Sequence, residues 1–343
     1  MSKILITGAA GFIGSQLAYA LWKKNKNLIL IDNFSYGKID NLKFKDHNFA
    51  DEIIKMDIRN KDAITNLLKN GDVEYVYHLA GIAPLPDCQA NPQEAVDVNI
   101  TGTINILENA RLFGVKKVIF ASTNAIYENE THFPTKENNF ELPTLIYPNT
   151  KYCAERFCES YHNTYGMNIT CLRFTNVYGP NMDCLRKQPP FVAYIIRELY
   201  YNRIPILHSD GNQKRDYIYI DDLVRLAIAV QKHKGVDFVN VSSNKCYSVN
   251  EIYKIVSNIM GKKIPPKYAN DTHYWEKYPE LSHGSYPIKT EILNKEINKY
   301  SLCDNTYAKK IYNWEPQVNL EEGLRIVIEN ECKLLNKLEE YNL

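Results

Sequence analysis

The chain opens on a short apolar run, Ile4-Leu5-Ile6, that stops at Thr7, and helical periodicity begins at Phe12 and Ile13 and continues through Leu17, Ala18 and Leu21. Glycines at 8, 11 and 14 stand between and within these runs, so the spacing predicts a strand, a tight turn and a helix. A second apolar run, Leu28 to Ile31, ends in Asp32-Asn33. Asp51 to Ile58 reads as a third strand and Val73 to Ala80 as a fourth, breaking into Gly81 and a proline-containing loop over 83–92; Lys117 to Ser122 reads as a fifth. Helical patterns run from Asn91-Pro92 through Val96, Ile100, Ile104 and Leu107, from Tyr147 to Tyr165, over Ser248 to Met260 and over Leu320 to Leu335. Strands alternating with helix-length segments predict an α/β fold, a doubly wound parallel sheet with ligands beyond the carboxyl ends of its strands.

The glycines carry chemistry. The first permits a sharp turn, the second lets backbone approach a pyrophosphate, and the third lets the helix pack on the strand, leaving helix N–H groups to face phosphates. A Gly-rich turn without a ligand has the same local pattern, so the triplet alone decides nothing. Asp32, 18 residues after Gly14, stands where a carboxylate accepts hydrogen bonds from adenosine ribose hydroxyls; it would repel a 2′-phosphate, which favours NAD over NADP. The expected cofactor contacts are Gly8, Gly11, Phe12, Ile13, Asp32 and Asn33, joined by the strand ends Asp57-Ile58 and Leu79-Ala80 and by Asn99. Asn99 sits among apolar residues in a helix that also holds Gly102, two costs in a helix interior that suggest a local demand near the cleft. A solvated Asn99 fits the same pattern.

Composition narrows the partner. At 343 residues and 45% hydrophobic the chain buries a large core, and a formal charge of +1 gives no field suited to nucleic acid or an acidic membrane. No early segment reads as a signal peptide or a membrane span, and a cytoplasmic protein with a small-molecule substrate is expected. Eight cysteines show no C-x-x-C pair and no zinc-ligand spacing, so thiols and no metal are expected.

The fifth strand ends in Ser122-Thr123-Asn124, and Tyr147 and Lys151 lie four apart on one helix face. A phenol near pKa 10 is a poor base at neutral pH, but an ammonium and a positively charged nicotinamide nearby favour its ionised form. Tyr147 then takes the proton of a substrate alcohol as hydride leaves to the cofactor, with Lys151 on the nicotinamide ribose and Thr123 on the reacting oxygen. A Tyr-Lys pair on a helix is commonly only solvated; after a dinucleotide turn and Asp32 it carries weight.

With these residues in place the chain resembles the extended short-chain dehydrogenase/reductase family, in its nucleotide-sugar epimerase and dehydratase branch. The likeness rests on TGAAGFIG at 7–14, Asp32-Asn33, HLA at 78–80, NITGT at 99–103, the Thr123-Tyr147-Lys151 triad, LRFTNVYGP at 172–180, RDYIYIDD at 215–222 and WEP at 314–316. It implies a Rossmann-type NAD-binding domain over 1–175 and a smaller substrate lobe over 176–343, with Phe238 to Val241 returning to the main sheet. It implies that Asn176 and Arg215 contact the diphosphate or nucleotide of a UDP- or GDP-linked sugar; a salt bridge from Arg215 to Asp216 or Asp221 is the plain alternative. It further implies a homodimer through the helices at about 92–113 and 147–165.

Relatives that dehydrate carry an Asp-Glu pair after the Thr, and decarboxylases keep a carboxylate there; here stand Asn124 and Ala125. Oxidation at C4 remains, ending as a 4-epimerase if the ketone is reduced again, or as a net 4-dehydrogenase if it leaves. GIAPLPDCQ at 81–89 looks like bacterial nucleotide-heptose enzymes of capsule synthesis, some of them 4-dehydrogenases. Where relatives carry an Arg-Pro-Gly-Asp-like segment, this chain has Ser285-Tyr286-Pro287-Ile288-Lys289, with Lys289 as the replacement cation. A cofactor-sensing regulator on the same fold would not need the Tyr-Lys pair, and an alcohol dehydrogenase without a nucleotide on its substrate would not need NVYGP and RDYIYIDD.

Overall fold

The computed structural model describes residues 2–138 and 140–340. Seven parallel strands form the central sheet: β1 (Lys3–Thr7), β2 (Leu28–Asp32), β3 (Ile54–Lys55), β4 (Val73–His78), β5 (Lys117–Thr123), β6 (Ile169–Phe174) and, after three strands outside this sheet, β10 (Val236–Val241). Their spatial order is β3-β2-β1-β4-β5-β6-β10. Apart from the edge strand β3, the strands are mainly apolar because both faces are covered. Ile4, Ile6, Ile119 and Leu172 point into one core, while Leu5, Val76, Val118, Phe120 and Cys171 point into the other.

The second core is closed by α2 (Lys61–Gly71), α5 (Thr103–Leu112) and α6 (Ile146–Tyr165). The first is closed by α1 (Phe12–Trp22), α7 (Phe191–Tyr200), α8 (Ile220–Ala229), α9 (Val249–Ile259), α11 (Thr306–Tyr312) and α12 (Leu320–Glu340). Two short helices, α3 (Leu85–Ala90) and α4 (Pro92–Val96), lie between β4 and α5, and α10 (Thr290–Asn298) precedes α11. Outside the main sheet, β9 (Lys214–Tyr219) pairs with β7 (Asn176–Tyr178) and β11 (Cys246–Ser248), and β8 (Ile206–His208) pairs with β12 (Lys267–Ala269). Among the described residues no helix is long and apolar enough to cross a membrane.

Three local differences from the sequence expectation have physical causes. The third strand shrinks to Ile54–Lys55 at the sheet edge, because the N–H groups of Glu52 and Ile53 turn back onto the Phe49 carbonyl. The loop over 83–92 contains α3. The helix expected from Asn91 is capped by the Asn91 side chain, which accepts from Glu94 N, but widens into a π turn over Asp97–Gly102 before α5 begins. That turn holds Asn99 and Gly102, the two residues that carry a cost inside a regular helix.

Candidate active site

Strand order reverses between β1 and β4, so the loops after these strands part and leave a crevice. Gly8 turns there with φ +69°, and a Cβ on it would lie 2.8 Å from Ala80 N. A Cβ on Gly14 would lie 2.1 Å from the Gly8 carbonyl oxygen. The turn is thus clamped between the end of β4 and the first turn of α1. Gly11 caps α1 without a side chain, and no acidic residue stands in that first turn, so Phe12 and Ile13 open the helix with a positive end facing the crevice.

Asp32 closes the β2 side. Its carboxylate is buried and accepts from Ala10 N at 3.0 Å and Phe34 N at 2.7 Å. Burial raises its pKa, and those two backbone donors pull it back. Asn33 donates to Asp57 Oδ2 at 2.9 Å, and Arg59 grips the same carboxylate, holding Asp57 down at about 2. Gly8, Gly11, Asp32, Asn33, Asp57, Ile58, Leu79 and Ala80 line one cleft.

At the far end of the crevice stand Thr123, Tyr147 and Lys151. Thr123 closes β5, where its Oγ1 accepts from Ala125 N at 3.1 Å. Burial pushes the Tyr147 phenol up to about 12, opposed by a hydrogen bond with the Thr123 hydroxyl. Lys151 is 5% exposed and burial lowers it to about 8. Its ammonium lies 4.4 Å from the Phe120 ring centroid. It is Thr123, not Lys151, that pulls the phenol down in this geometry. Among the described residues no carboxylate forms an ion pair with Lys151.

Asn99 is 1% exposed and spends its carboxamide on protein groups: Oδ1 accepts from Ile82 N at 2.8 Å, and Nδ2 donates to Ile82 O and Thr150 Oγ1, each at 3.0 Å. It therefore fastens the loop after β4 to the helix that carries Tyr147 and Lys151. His78 adds a second fastening that the motifs did not reveal. Thr103 donates to Asn99 O at 2.7 Å and receives His78 Nε2–H at 3.0 Å, while His78 Nδ1 accepts from Thr7 at 2.7 Å and Thr7 accepts from Ala80 N at 3.1 Å. Burial pushes His78 down to about 3, in keeping with the neutral ring this chain of donors requires.

On the other side of the crevice Asn176 donates to Asp216 O at 3.0 Å. Arg215 forms neither of the salt bridges that were the alternative to a phosphate contact: its guanidinium donates to the carbonyls of Glu296 and Ile297 at 3.0 and 2.9 Å and to that of Lys299, capping the C-terminal end of α10. Asp216 is instead held by Ser242, Ser243 and the Cys303 amide. Lys289 is exposed just before α10. A cavity of about 410 Å³ opens nearby, lined by Pro84 and Pro86, Arg186, Phe191, Tyr194, His208, His273, Tyr274 and Lys277. Among the described residues no acidic side chain lines it. Of these, Pro84 and Pro86 fall in the GIAPLPDCQ stretch at 81–89, while Arg186, Phe191, Tyr194, His208, His273, Tyr274 and Lys277 belong to none of the motifs in the sequence.

The sequence profile of the NAD dependent epimerase/dehydratase family matches residues 4–242. This chain belongs to that family. The chain is 33% identical over 335 residues, 95% of this chain and 94% of the relative, to a UDP-glucuronate 4-epimerase of Thermodesulfobacterium geofontis. Among solved structures, UDP-glucose 4-epimerase of Thermotoga maritima with UDP-glucose superposes with a TM-score of 0.85 at 32% identity, covering 97% of this chain and 99% of that one. UDP-glucuronic acid 4-epimerase of Bacillus cereus, with UDP-glucuronic acid and NAD, gives 0.81 at 28% identity, covering 97% and 99%.

The cofactor of this epimerase/dehydratase-family chain is NAD. The residues fit it: Gly8 and Gly14 leave backbone where any Cβ would collide, and the Asp32 carboxylate, each oxygen of which accepts one amide, keeps lone pairs for two ribose hydroxyls.

Proposed function

We propose that the enzyme oxidises the C4 hydroxyl of a UDP-linked sugar and reduces the resulting ketone from its other face, as a 4-epimerase. The observation that carries this reading is a half-buried Tyr147 phenol at the end of the NAD crevice, drawn down by the Thr123 side chain, with no carboxylate among the influences on it. Positions 124 and 125 are Asn and Ala. The next acid along the chain, Glu128, is spent on the amides of Thr144 and Leu145. A proton acceptor for an alcohol is present and the acid-base pair that water loss needs is not.

Bound NAD supplies a hydride acceptor and then a hydride donor, and sets a positive ring near the phenol. Thr123 holds the sugar oxygen and polarises the Tyr147 hydroxyl. Tyr147, as phenolate, takes the C4 hydroxyl proton and returns it when the ketone is reduced. Lys151 stays cationic below about pH 8 and holds the nicotinamide ribose beside Gly81. Asn33, Asp57, Ile58 and Leu79 line the adenosine half.

The acid-free cavity suits a nucleoside diphosphate: Arg186 and Lys277 offer cations, and Phe191, Tyr194 and Tyr274 offer apolar faces. UDP is favoured by the relatives from T. geofontis and T. maritima. Arg215 reaches a phosphate only by exchanging the carbonyls of α10 for it, and Asn176 stands beside it on β7. The exposed residues Leu112 and Tyr165 on α5 and α6 support a homodimer through those helices.

The test is incubation with UDP-glucose, UDP-glucuronate, UDP-N-acetylglucosamine and their GDP and dTDP counterparts. A product of unchanged mass and inverted C4 configuration supports the epimerase. A product lighter by two hydrogens, with reduced nicotinamide accumulating, replaces it with a net 4-dehydrogenase, and a product lighter by water or carbon dioxide overturns the reading.

A further inference from the structure

Asp87 on α3 is a carboxylate that the chemistry above leaves unused. Its Oδ2 accepts the Tyr36 phenol at 2.9 Å and its Oδ1 the Tyr278 phenol at 2.5 Å. The two tyrosines come from different walls, one from the NAD cleft and one from beside the cavity that holds Arg186 and Lys277. Tyr36 lies on the turn after β2 that lines the NAD cleft. Its neighbour Gly37 packs so tightly on Asp32 that a Cβ there would lie 2.7 Å from Asp32 Oδ1, and Lys38 N donates to Ala10 O at 3.0 Å. This turn is therefore the outer wall of the ribose site. Tyr278 follows Lys277 of the basic cavity, with the Lys187 ammonium 3.9 Å from its ring centroid. The helix between them starts at Pro84-Leu85-Pro86, which line that same cavity.

We propose that Asp87 is a positioning residue that clasps the two walls together and retains the dinucleotide, with Tyr36 as the releasable arm. The arms are unequal: Tyr278 is 2% exposed and Tyr36 is 42% exposed. Opening at Tyr36 breaks one solvent-accessible hydrogen bond and leaves the buried one as a hinge. Burial and the Asp87 carboxylate both raise the two phenols, so each remains a donor across the physiological range. A clasp of this kind holds reduced NAD in place for as long as a ketone waits beside it. The inference rests on the NAD site and not on which sugar is turned over.

The test is the rate at which bound NADH leaves when excess NAD is added, followed by loss of nicotinamide fluorescence. Tyr36→Phe should speed release roughly 3- to 10-fold, less than a buried hydrogen bond to a charged acceptor would give because the phenol is exposed. Asp87→Ala, which frees both arms, should speed it roughly 10- to 100-fold. The thermal midpoint of Tyr36→Phe should match the parent, since a merely structural role would move stability and not the release rate. Release from folded Tyr36→Phe within about a factor of two of the parent overturns the clasp. So does faster release in Asp87→Ala alone, which would make the carboxylate a prop for the fold. If Asp87→Ala does not fold, Tyr36→Phe decides by itself.

Discussion

Replacing Asp32 by Asn changes almost no volume and removes one buried negative charge. In the folded protein burial raises the Asp32 carboxyl above its usual range. A carboxyl raised on folding contributes most below its unfolded value of about 3.8, and that contribution is lost as pH rises through the folded value. At neutral pH the ionised group therefore costs the empty protein stability, and Asn relieves that cost. Against it stands one of the two amide bonds, from Ala10 or Phe34, that the carboxamide NH₂ can no longer accept, worth about 1 kcal/mol. The two effects nearly offset, and the unliganded variant should melt close to the parent. Cofactor binding behaves differently. Two ribose hydroxyls donating to a carboxylate contribute about 1.5–3 kcal/mol each, and an amide oxygen keeps part of that, so NADH should weaken by about 2–3 kcal/mol, or about 30- to 150-fold. NADPH gains from the lost repulsion of its 2′-phosphate and should hold or tighten. Fluorescence titration with both cofactors, beside thermal melts with and without NADH, measures each contribution separately. An equal loss for NADH and NADPH would show that Asp32 does not read the ribose.

Tyr147→Phe should bind NADH normally and lose about 10²- to 10⁴-fold in turnover, the usual contribution of a positioned proton-transfer group; near-parental steady-state rates would refute the assignment. Gly14→Ala places a methyl against the Gly8 carbonyl, and with backbone on both sides a loss of about 3 kcal/mol or more is expected in denaturant melts. Glu331 on α12 is fully buried beside the Cys184 thiol, without a well-formed hydrogen bond to either oxygen, and burial raises it to about 7. Its protonated form is the stable one, so stability falls as pH rises from about 4.5 through 7. Glu331→Gln should therefore gain up to about 3 kcal/mol at pH 8 and almost nothing near pH 4.5, since each tenfold weakening of the acid on folding is worth about 1.4 kcal/mol. Parallel denaturation curves at the two pH values that show no such difference would exclude it.

What the sequence disclosed was local. β1, β2, β4 and β5 are apolar runs because both sheet faces are buried, and the glycine turn is visible because its steric demands fall on three nearby positions. The length of β3 is overestimated because an apolar run at a sheet edge looks the same whether its N–H groups pair or turn back. The six residues of α3 are hidden by their brevity and by the prolines at 84 and 86. The π turn shows only as a penalty: Gly102 is required because a Cβ would lie 2.5 Å from Ile58 Cδ1, a contact no periodicity reveals.

The candidate site divides along the same line. Thr123, Tyr147, Lys151 and Asp32 are announced by strand ends and helix spacing, which carry over directly into position. Asn99 is ambiguous until its three hydrogen bonds show it tying one loop to one helix. Arg215 illustrates the opposite limit. A motif names an arginine, but its partners here are carbonyls at 296, 297 and 299, contributed by a helix that the motif does not mention. Arg186, His208, His273 and Lys277 converge from three separate segments, and each is unremarkable within its own. The chemistry of oxidation is fixed by a rigid sheet and is therefore readable in short stretches. The proposed substrate cavity is instead assembled from distant segments, so sequences that share the first can differ freely in the second.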